Sequence, residues 1–414
     1  MKRKILRDAV HGDIELEPLE VELMDTPEFQ RLRGIKQLGT ACLVYPSATH
    51  TRFEHCLGTS WMARRMIEAL RRTGTISSCE ETAIRVAALL HDISHIPFGH
   101  TLEDERRVLS RHDKDQSRFT YFLLESSLAQ RLRNSGYQDQ VLRILRGEAG
   151  FASEIVTGAI TADLLDYLKR DTYFVGFSQY YDPRVFQSFI LEDGRFIVNL
   201  EKHGMLRRDA LSELVNLLRI RYTLSERVYF HHTKIASGAM ISKAVELAIE
   251  SGLRLEDLRR LKDETLVWTL RNRHGDNPAI DYIVNCLESR QLYRACFVLT
   301  VGVGESRQRE IADRLHHDAG AREELEARIA GAAGLQPYQI IVYCPSIGMS
   351  LPEAEVPVRL ESGNIVPLSD SNNEEIRILK EKHKALWKFF VLIDRGAWDR
   401  HEQAHNAAET LLSW

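Results

Sequence analysis

Through most of the first 300 residues, apolar side chains recur three and four positions apart, and that spacing commits the chain to packed helices. Trp61, Met62, Arg65, Met66, Ala69 and Leu70 fit a helix that follows His55. Ile84, Ala87, Ala88 and Leu90 fit another, running into His91-Asp92. Leu211, Leu214, Leu218 and Arg221 open a long helix expected to reach about Ser251, and shorter helices are expected at Glu256 to Leu270 and Ile280 to Arg290. The texture changes near residue 294. Cys296 to Val301, Gln339 to Tyr343 and Lys388 to Ile393 read as strands, with helical patterns at Glu305 to Ala333 and Asn373 to Ala385 between them. The expected fold is mainly α, with a helical body at 1–293 and a smaller C-terminal α+β region at 294–414 for oligomer packing or regulation.

The 414 residues, 44% hydrophobic and 28% charged, suit a globular protein of one large core or two domains. No stretch offers the roughly 20 apolar residues of a membrane span, and Met1 to Asp8 has no apolar core of a signal peptide, so a cytoplasmic location without membrane partners is expected. The six cysteines include no CxxC pair, which argues against a cysteine zinc site. A net charge of −4 gives no bulk attraction for nucleic acid. Arg64-Arg65 and Arg71-Arg72 read as solvated helix faces.

The chemistry is concentrated in histidines. Four of the 16 stand between 91 and 112: His91, His95, His100 and His112. His91 and Asp92 end the apolar run Ala87-Ala88-Leu89-Leu90, at the edge of a core where a charge needs a partner or a metal. On a helix, Asp92 and His95, and His91 and His95, would share a face. Ile96-Pro97-Phe98-Gly99 is a turn able to aim His95 and His100 inward. His50, His203 and His274 lack such a setting and read as surface or core histidines. Imidazole and carboxylate together suit Mn, Fe, Zn, Co or Mg. Downstream, Asp163, Asp166, Tyr167 and Arg170 form one helical stripe beside an apolar side of Ile160, Leu164, Leu165 and Leu168.

In order, His11-Gly-Asp-Ile-Glu-Leu, Asp25 to Arg33, Ile35 to Gly39, Thr51 to Gly58, His91-Asp92 through His100 and Asp163 through Gly176 resemble the HD-domain dNTP triphosphohydrolases over about residues 1–290. These include bacterial dGTPases and the mammalian dNTPase that carries a sterile-alpha-motif domain. Arg221 to His231 is a weaker match, and no sterile-alpha-motif domain is recognised. The resemblance implies that His55, His91, Asp92 and Asp163 hold a divalent metal and that triphosphate leaves a deoxynucleoside in one step. Such a step needs a proton donor for the 5′-oxygen; His95, His100 and His112 are the candidates, with His112-Asp113 matching a family histidine–acid pair. Arg52 and Arg221 resemble phosphate ligands. Gln37 and Asp171 resemble partners of the 3′-hydroxyl, with Leu38 beside the sugar, Tyr167 close to the 2′ carbon and Tyr229 near sugar and base. Three positions depart from the family: Leu164 stands for a phosphate-contacting lysine, Ser225 for a histidine and Thr161 for an acid.

Lys4, Asp25, Gln30 and Arg33 match positions that hold an activating nucleotide at a subunit interface in the mammalian enzyme, which implies a homo-oligomer, dimer or tetramer. The same segment reads equally as an ordinary helix start, with Thr26 as cap and Pro27 at the first position. The competing function is another HD-type phosphoesterase or nuclease, acting on single-stranded nucleic acid or another nucleotide. The set of Gln37, Arg52, Tyr167 and Asp171 favours the dNTP reading, because it describes a deoxynucleotide pocket rather than a strand-tracking groove, which would need a basic stripe with aromatics. A non-catalytic sensor would need a degraded metal set, and this one is complete.

Overall fold

In the computed structural model, which describes residues 2–347 and 349–413, a hairpin of β1 (Lys4–Asp8) and β2 (Gly12–Leu16) leads into the helical body. Three helices of that body carry most of the chemistry. Helix α1 (Arg52–Leu70) starts at a capping box in which Thr51 and Glu54 bond each other reciprocally. Helix α2 (Ser78–Leu90) starts at a second such box, Ser77 with Glu80, and its last turn is capped by His91. Helix α3 (Ala162–Val175) is capped by the Thr161 hydroxyl, which accepts from the Leu164 amide, and stops at Gly176 in the left-handed conformation. Thr161 therefore has a local structural duty where the family has an acid. Helix α1 packs on both α2 and α3. At the α1–α3 crossing stands Gly58, where a Cβ would lie 1.8 Å from an Asp166 carboxylate oxygen. Only the missing side chain lets the two helices approach so closely.

The long helix expected from Leu211 to about Ser251 is two helices. Helix α4 (Arg208–Leu224) widens into a π-type turn over Ser225–Tyr229, and α5 (His232–Glu250) restarts after it. The break falls where His231 turns extended and its imidazole caps the Thr233 amide, a local bond that competes with helix continuation. The Glu305 to Ala333 pattern is likewise interrupted, and its main helix, α6 (Ala319–Ala333), begins at an Asp318 cap.

Strands β3 (Phe189–Glu192) and β4 (Arg195–Asn199) lie within the body sequence. In the C-terminal region, β5 (Arg294–Thr300), β6 (Ile340–Tyr343) and β9 (Lys388–Ile393) form an antiparallel sheet with β9 central. The short β7 (Pro357–Arg359) and β8 (Ile365–Pro367) do not join it. They extend the body sheet instead, with β7 parallel to β4 through Val198–Val358 and Asn199–Arg359. Leu351, Ala354, Val356, Val358 and Leu368 are buried in the same apolar core as α1, α2 and α3, together with Ile376 and Leu379 of α7 (Glu374–Lys384). The division expected at 293/294 is thus crossed by residues 351–379, whose apolar side chains belong to the body. The physical reason is an apolar alternation too short to build a core alone.

A buried ionic cluster ties the two regions further. Arg106 donates to Glu246 of α5, to Glu326 of α6 and to the Val342 carbonyl of β6. Lys243 of α5 also reaches Glu326, at 3.1 Å. No helix among the described residues is long and apolar enough to cross a membrane.

Candidate metal centre

The N-terminal third of α1 places His55 one turn inside the helix, facing α3. Its Nδ1 lies 2.7 Å from Asp166, a carboxylate wholly buried by the close approach at Gly58. That bond fixes the ring, and Nε2 then faces Asp163 at 2.9 Å and Asp92 at 3.7 Å. His91 is fixed in the same way: Nδ1 donates to the Ala88 carbonyl at 2.8 Å, and Nε2 faces Asp92 at 3.5 Å and Asp163 at 3.6 Å. His55, His91 and Asp163 bring their ligand atoms within 4.8 Å of one another, and Asp92 completes the ring. The Nε2 atoms of His55 and His91 are buried without a hydrogen-bond partner, an arrangement that costs free energy unless a cation is shared among the carboxylates and imidazoles. Two neutral imidazoles and two carboxylates make a donor set that fits a first-row divalent ion or Mg²⁺.

Burial pulls the His55 imidazole down, but the Asp163 and Asp166 carboxylates beside it outweigh that and raise it to about 10, so without an ion the acids hold a proton on this ring that a bound cation would displace. Asp92 and Asp163 are held well below the usual carboxylate range: burial opposes this, and His91, Arg52 and His95 around Asp92, and His55 and His91 around Asp163, prevail. The centre therefore presents ionised carboxylates, as ligands must be.

The helix carrying His91 ends at Leu90, so Asp92 and His95 meet through a turn rather than along a helix, with His95 Nε2 3.2 Å from Asp92. Phe98 and Gly99 both take positive φ in this turn. A Cβ at Gly99 would come 2.7 Å from Arg52, so glycine lets the backbone press on that guanidinium. His95, His100 and His112 cluster closely, edge to face or tilted, with His95 and His112 ring centroids 3.7 Å apart. Their common acid is Glu103, 2.9 Å from His100 Nδ1 and 3.4 Å from His112 Nδ1. It is not Asp113, which turns out to Arg111. Glu103 stays ionised although burial opposes it, because His100 and His112 bond to it, while burial and the Arg52 charge hold His95 well below an ordinary imidazole.

Two family models match this chain: the HD domain over residues 52–171 and the HD associated region over residues 195–413, the second covering more than half of it. The chain belongs to the HD-domain family. An uncharacterized protein of Methanocaldococcus jannaschii is 33% identical over 299 residues, 70% of this chain and 59% of that protein. The Dictyostelium discoideum homolog of deoxynucleoside triphosphate triphosphohydrolase SAMHD1 is 28% identical over 340 residues, 76% of this chain and 64% of that protein. This HD-domain protein thus spans about three-fifths of the length of the curated relatives it matches. A solved phosphohydrolase of Bacteroides thetaiotaomicron shares the fold, with a TM-score of 0.72 at 23% identity, over 95% of this chain and all of that one.

Around the candidate metal group of this HD-domain protein, the structure gathers the residues expected to hold a nucleotide. Arg52 is buried, bonds Asp92 and keeps Nε without a partner. Asp171 is buried and held by the Tyr229 hydroxyl at 2.6 Å and by His50 at 2.8 Å. Gln37 donates its amide to the His50 carbonyl, and its side-chain oxygen is buried without a partner; Leu38 is buried beside it. Arg221 stands between the rings of Tyr167 and Tyr229, 5.6 and 5.1 Å from their centroids. Leu164 points into the core and supplies no charge. Lys4 pairs with Asp25 at 3.2 Å, and Arg33 bonds Gln30 at 2.9 Å and covers the Phe53 ring, so each of these four has a local partner on the surface.

Five side chains carry roles that the sequence did not disclose. Asp166, Glu103 and His50 act as orienting partners. His11 reaches Asp166 at 2.5 Å from the first hairpin. Glu353 comes from the C-terminal region and bonds Arg221 Nε at 3.2 Å and the Tyr167 hydroxyl at 3.4 Å. For Asp166 a signal existed in its place four residues before Arg170; for Glu353 there was none.

Proposed function

We propose that this chain hydrolyses deoxynucleoside triphosphates to deoxynucleoside and triphosphate at the His55–His91–Asp92–Asp163 centre. The observation that carries the reading is the stripe of α3: Asp163 stands with the metal group, and one and two turns further along the same face Tyr167 and Asp171 are fixed by bonds to Glu353, His50 and Tyr229. A hydroxyl-seeking carboxylate and a ring that crowds the sugar thus sit at a set distance from the reacting phosphate. His55, His91, Asp92 and Asp163 would hold a divalent cation, which would supply charge neutralisation at the phosphate and a more acidic water. Arg52 and Arg221 offer N–H groups to phosphate oxygens. Tyr167 disfavours a 2′-hydroxyl by occupying its space, and Asp171 with Gln37 accepts and donates at the 3′-hydroxyl, with Leu38 and Tyr229 lining the sugar. His100 and His112, each with Nδ1 turned to Glu103, are oriented to present Nε2 as proton donors to the leaving 5′-oxygen. An activating nucleotide at Lys4, Asp25, Gln30 and Arg33, on a homo-oligomer, is part of the same reading, and its support is the family resemblance.

The test incubates purified protein with each dNTP and NTP, singly and in mixtures, with Mn²⁺ or Mg²⁺, and identifies products chromatographically beside Asp92→Ala. Deoxynucleoside with intact triphosphate, lost in the variant, is expected; turnover confined to mixtures would mark the activating site. Metal-loaded protein that turns over no mixture would overturn the reading in favour of single-stranded nucleic acid or another phosphoester.

A further inference from the structure

Arg221 has a tenant already. Its Nε bonds Glu353 Oε1 and its Nη1 bonds the Ser225 hydroxyl at 3.2 Å. Among the described residues its Nη2 has no hydrogen bond, so one amino nitrogen of the fork is left for a ligand. The carboxylate is not a passing surface contact. Its side chain is 7% exposed, and Oε2 is buried without a partner in the place where the phosphate chain is expected. Its position is built in: Leu351, Ala354 and Val356 on either side are buried in the body core, and Glu355 is held outside by Lys380 and Ser369, at 3.0 Å each. The turn Pro352–Glu355 therefore presents Glu353 from a fixed backbone. The other expected phosphate ligand, Arg52, is likewise matched to a carboxylate, Asp92, and the buried Leu164 supplies no third cation.

A carboxylate tethered beside a guanidinium that the phosphate chain is expected to use is a competitor at high effective concentration. It also repels a polyanion across a site of low dielectric. We propose that Glu353 is a specificity-determining residue of the phosphate subsite: it competes with the ligand's outer phosphates for Arg221 and so weakens the grip of this pocket on inorganic and nucleotide polyphosphates. The inference rests on the dNTP reading for the location of the phosphate chain. A phosphate oxygen that displaces Glu353 from Nε regains two adjacent donors, Nε and Nη2, and the carboxylate turns its charge away.

The experiment titrates inorganic tripolyphosphate into the metal-loaded full chain by calorimetry, with and without added Mg²⁺, for the natural protein, Glu353→Gln and Glu353→Ala. Both variants are expected to bind roughly ten- to a hundred-fold more tightly, the worth of one charge-assisted hydrogen bond, in either condition. Adding Arg221→Lys to Glu353→Gln should abolish most of the gain. Unchanged or weaker binding in both folded variants overturns the proposal. A loss of binding seen only with Mg²⁺ overturns it too, and would make Glu353 a ligand of the phosphate-bound cation. Because the readout is binding of an inorganic anion, a gain in the variants stands even if no dNTP is turned over, and turnover without a gain sinks only this inference.

Discussion

Asp166 touches no expected substrate group, yet it holds His55, His11 and Arg170 at once from a fully buried position. Asp166→Asn keeps the shape and removes the charge, so His55 loses the partner that fixes its ring and strengthens its free nitrogen. Metal affinity is expected to fall about 10- to 100-fold, as read by metal titration of the folded variant. Arg170 would lose a charge partner in the same change, and stability should drop by about 3–5 kcal/mol. A variant that melts early but keeps its metal affinity would reduce Asp166 to a structural role. The contrast with the four expected ligands shows what a sequence exposes. His55, His91, Asp92 and Asp163 stood out because a metal demands those side chains in a familiar order. The acids behind them had no spacing of their own. Glu103 shows this best: it lies in a wide turn at Thr101–Glu105, nine residues before His112, whereas Asp113 reads as the partner of His112 only because it is adjacent in sequence. His50 was read as an ordinary histidine since its role depends on Asp171, 121 residues away.

At the level of elements, the distance between α1 and α3 is set by Gly58. A methyl group there meets both Asp166 and Arg170, each locked in ion pairs, and neither has room to retreat. Gly58→Ala is therefore expected to cost at least ~2 kcal/mol, measured by denaturant unfolding, and to lower metal affinity because Asp166 must move. An Ala variant of native stability would mean that the helices part without strain. The apolar spacing revealed helices where it was long and one-sided, as in α1, α2 and α3. It could not reveal their interruptions. The π-type turn at Ser225–Tyr229 keeps the same apolar rhythm as its flanks, and the break depends on a single imidazole cap at His231. Strands β5, β6 and β9 were legible as apolar runs, whereas β7 and β8 are three residues each and find their identity only by pairing onto β4 and each other.

Across the whole molecule, two side chains of the described C-terminal residues reach the candidate site. Glu353 is one. The other is His383 of α7, whose Nε2 lies 3.2 Å from the Ser225 hydroxyl, where the family has a histidine on the helix itself. Burial and the Arg221 charge lower its imidazole to about 4. The unfolded chain, with an ordinary histidine near 6.5, takes up this proton first as the pH falls. The contribution of His383 to stability is thus complete above about 6.5 and declines as the pH drops toward 4, by at most about 1.4 kcal/mol per pH unit. Comparing unfolding free energies at pH 7 and 5 for the natural protein and His383→Gln should show a smaller pH dependence in the variant; equal slopes would refute the assignment. The sequence boundary at 293/294 marked a real change of texture but not a seam, because the residues that follow supply walls to a core begun 300 residues earlier.

Arg106 lies just beyond the turn that carries Glu103, and its three partners come from the body helix α5, from α6 and from β6. In descent this makes the two halves of the chain fellow travellers. A recombination breakpoint between them would strand buried arginine, lysine and glutamate charges on both sides of the cut, next to the histidine cluster. A rearrangement that moved this HD domain into a larger protein would therefore have to carry the later residues along with the histidines.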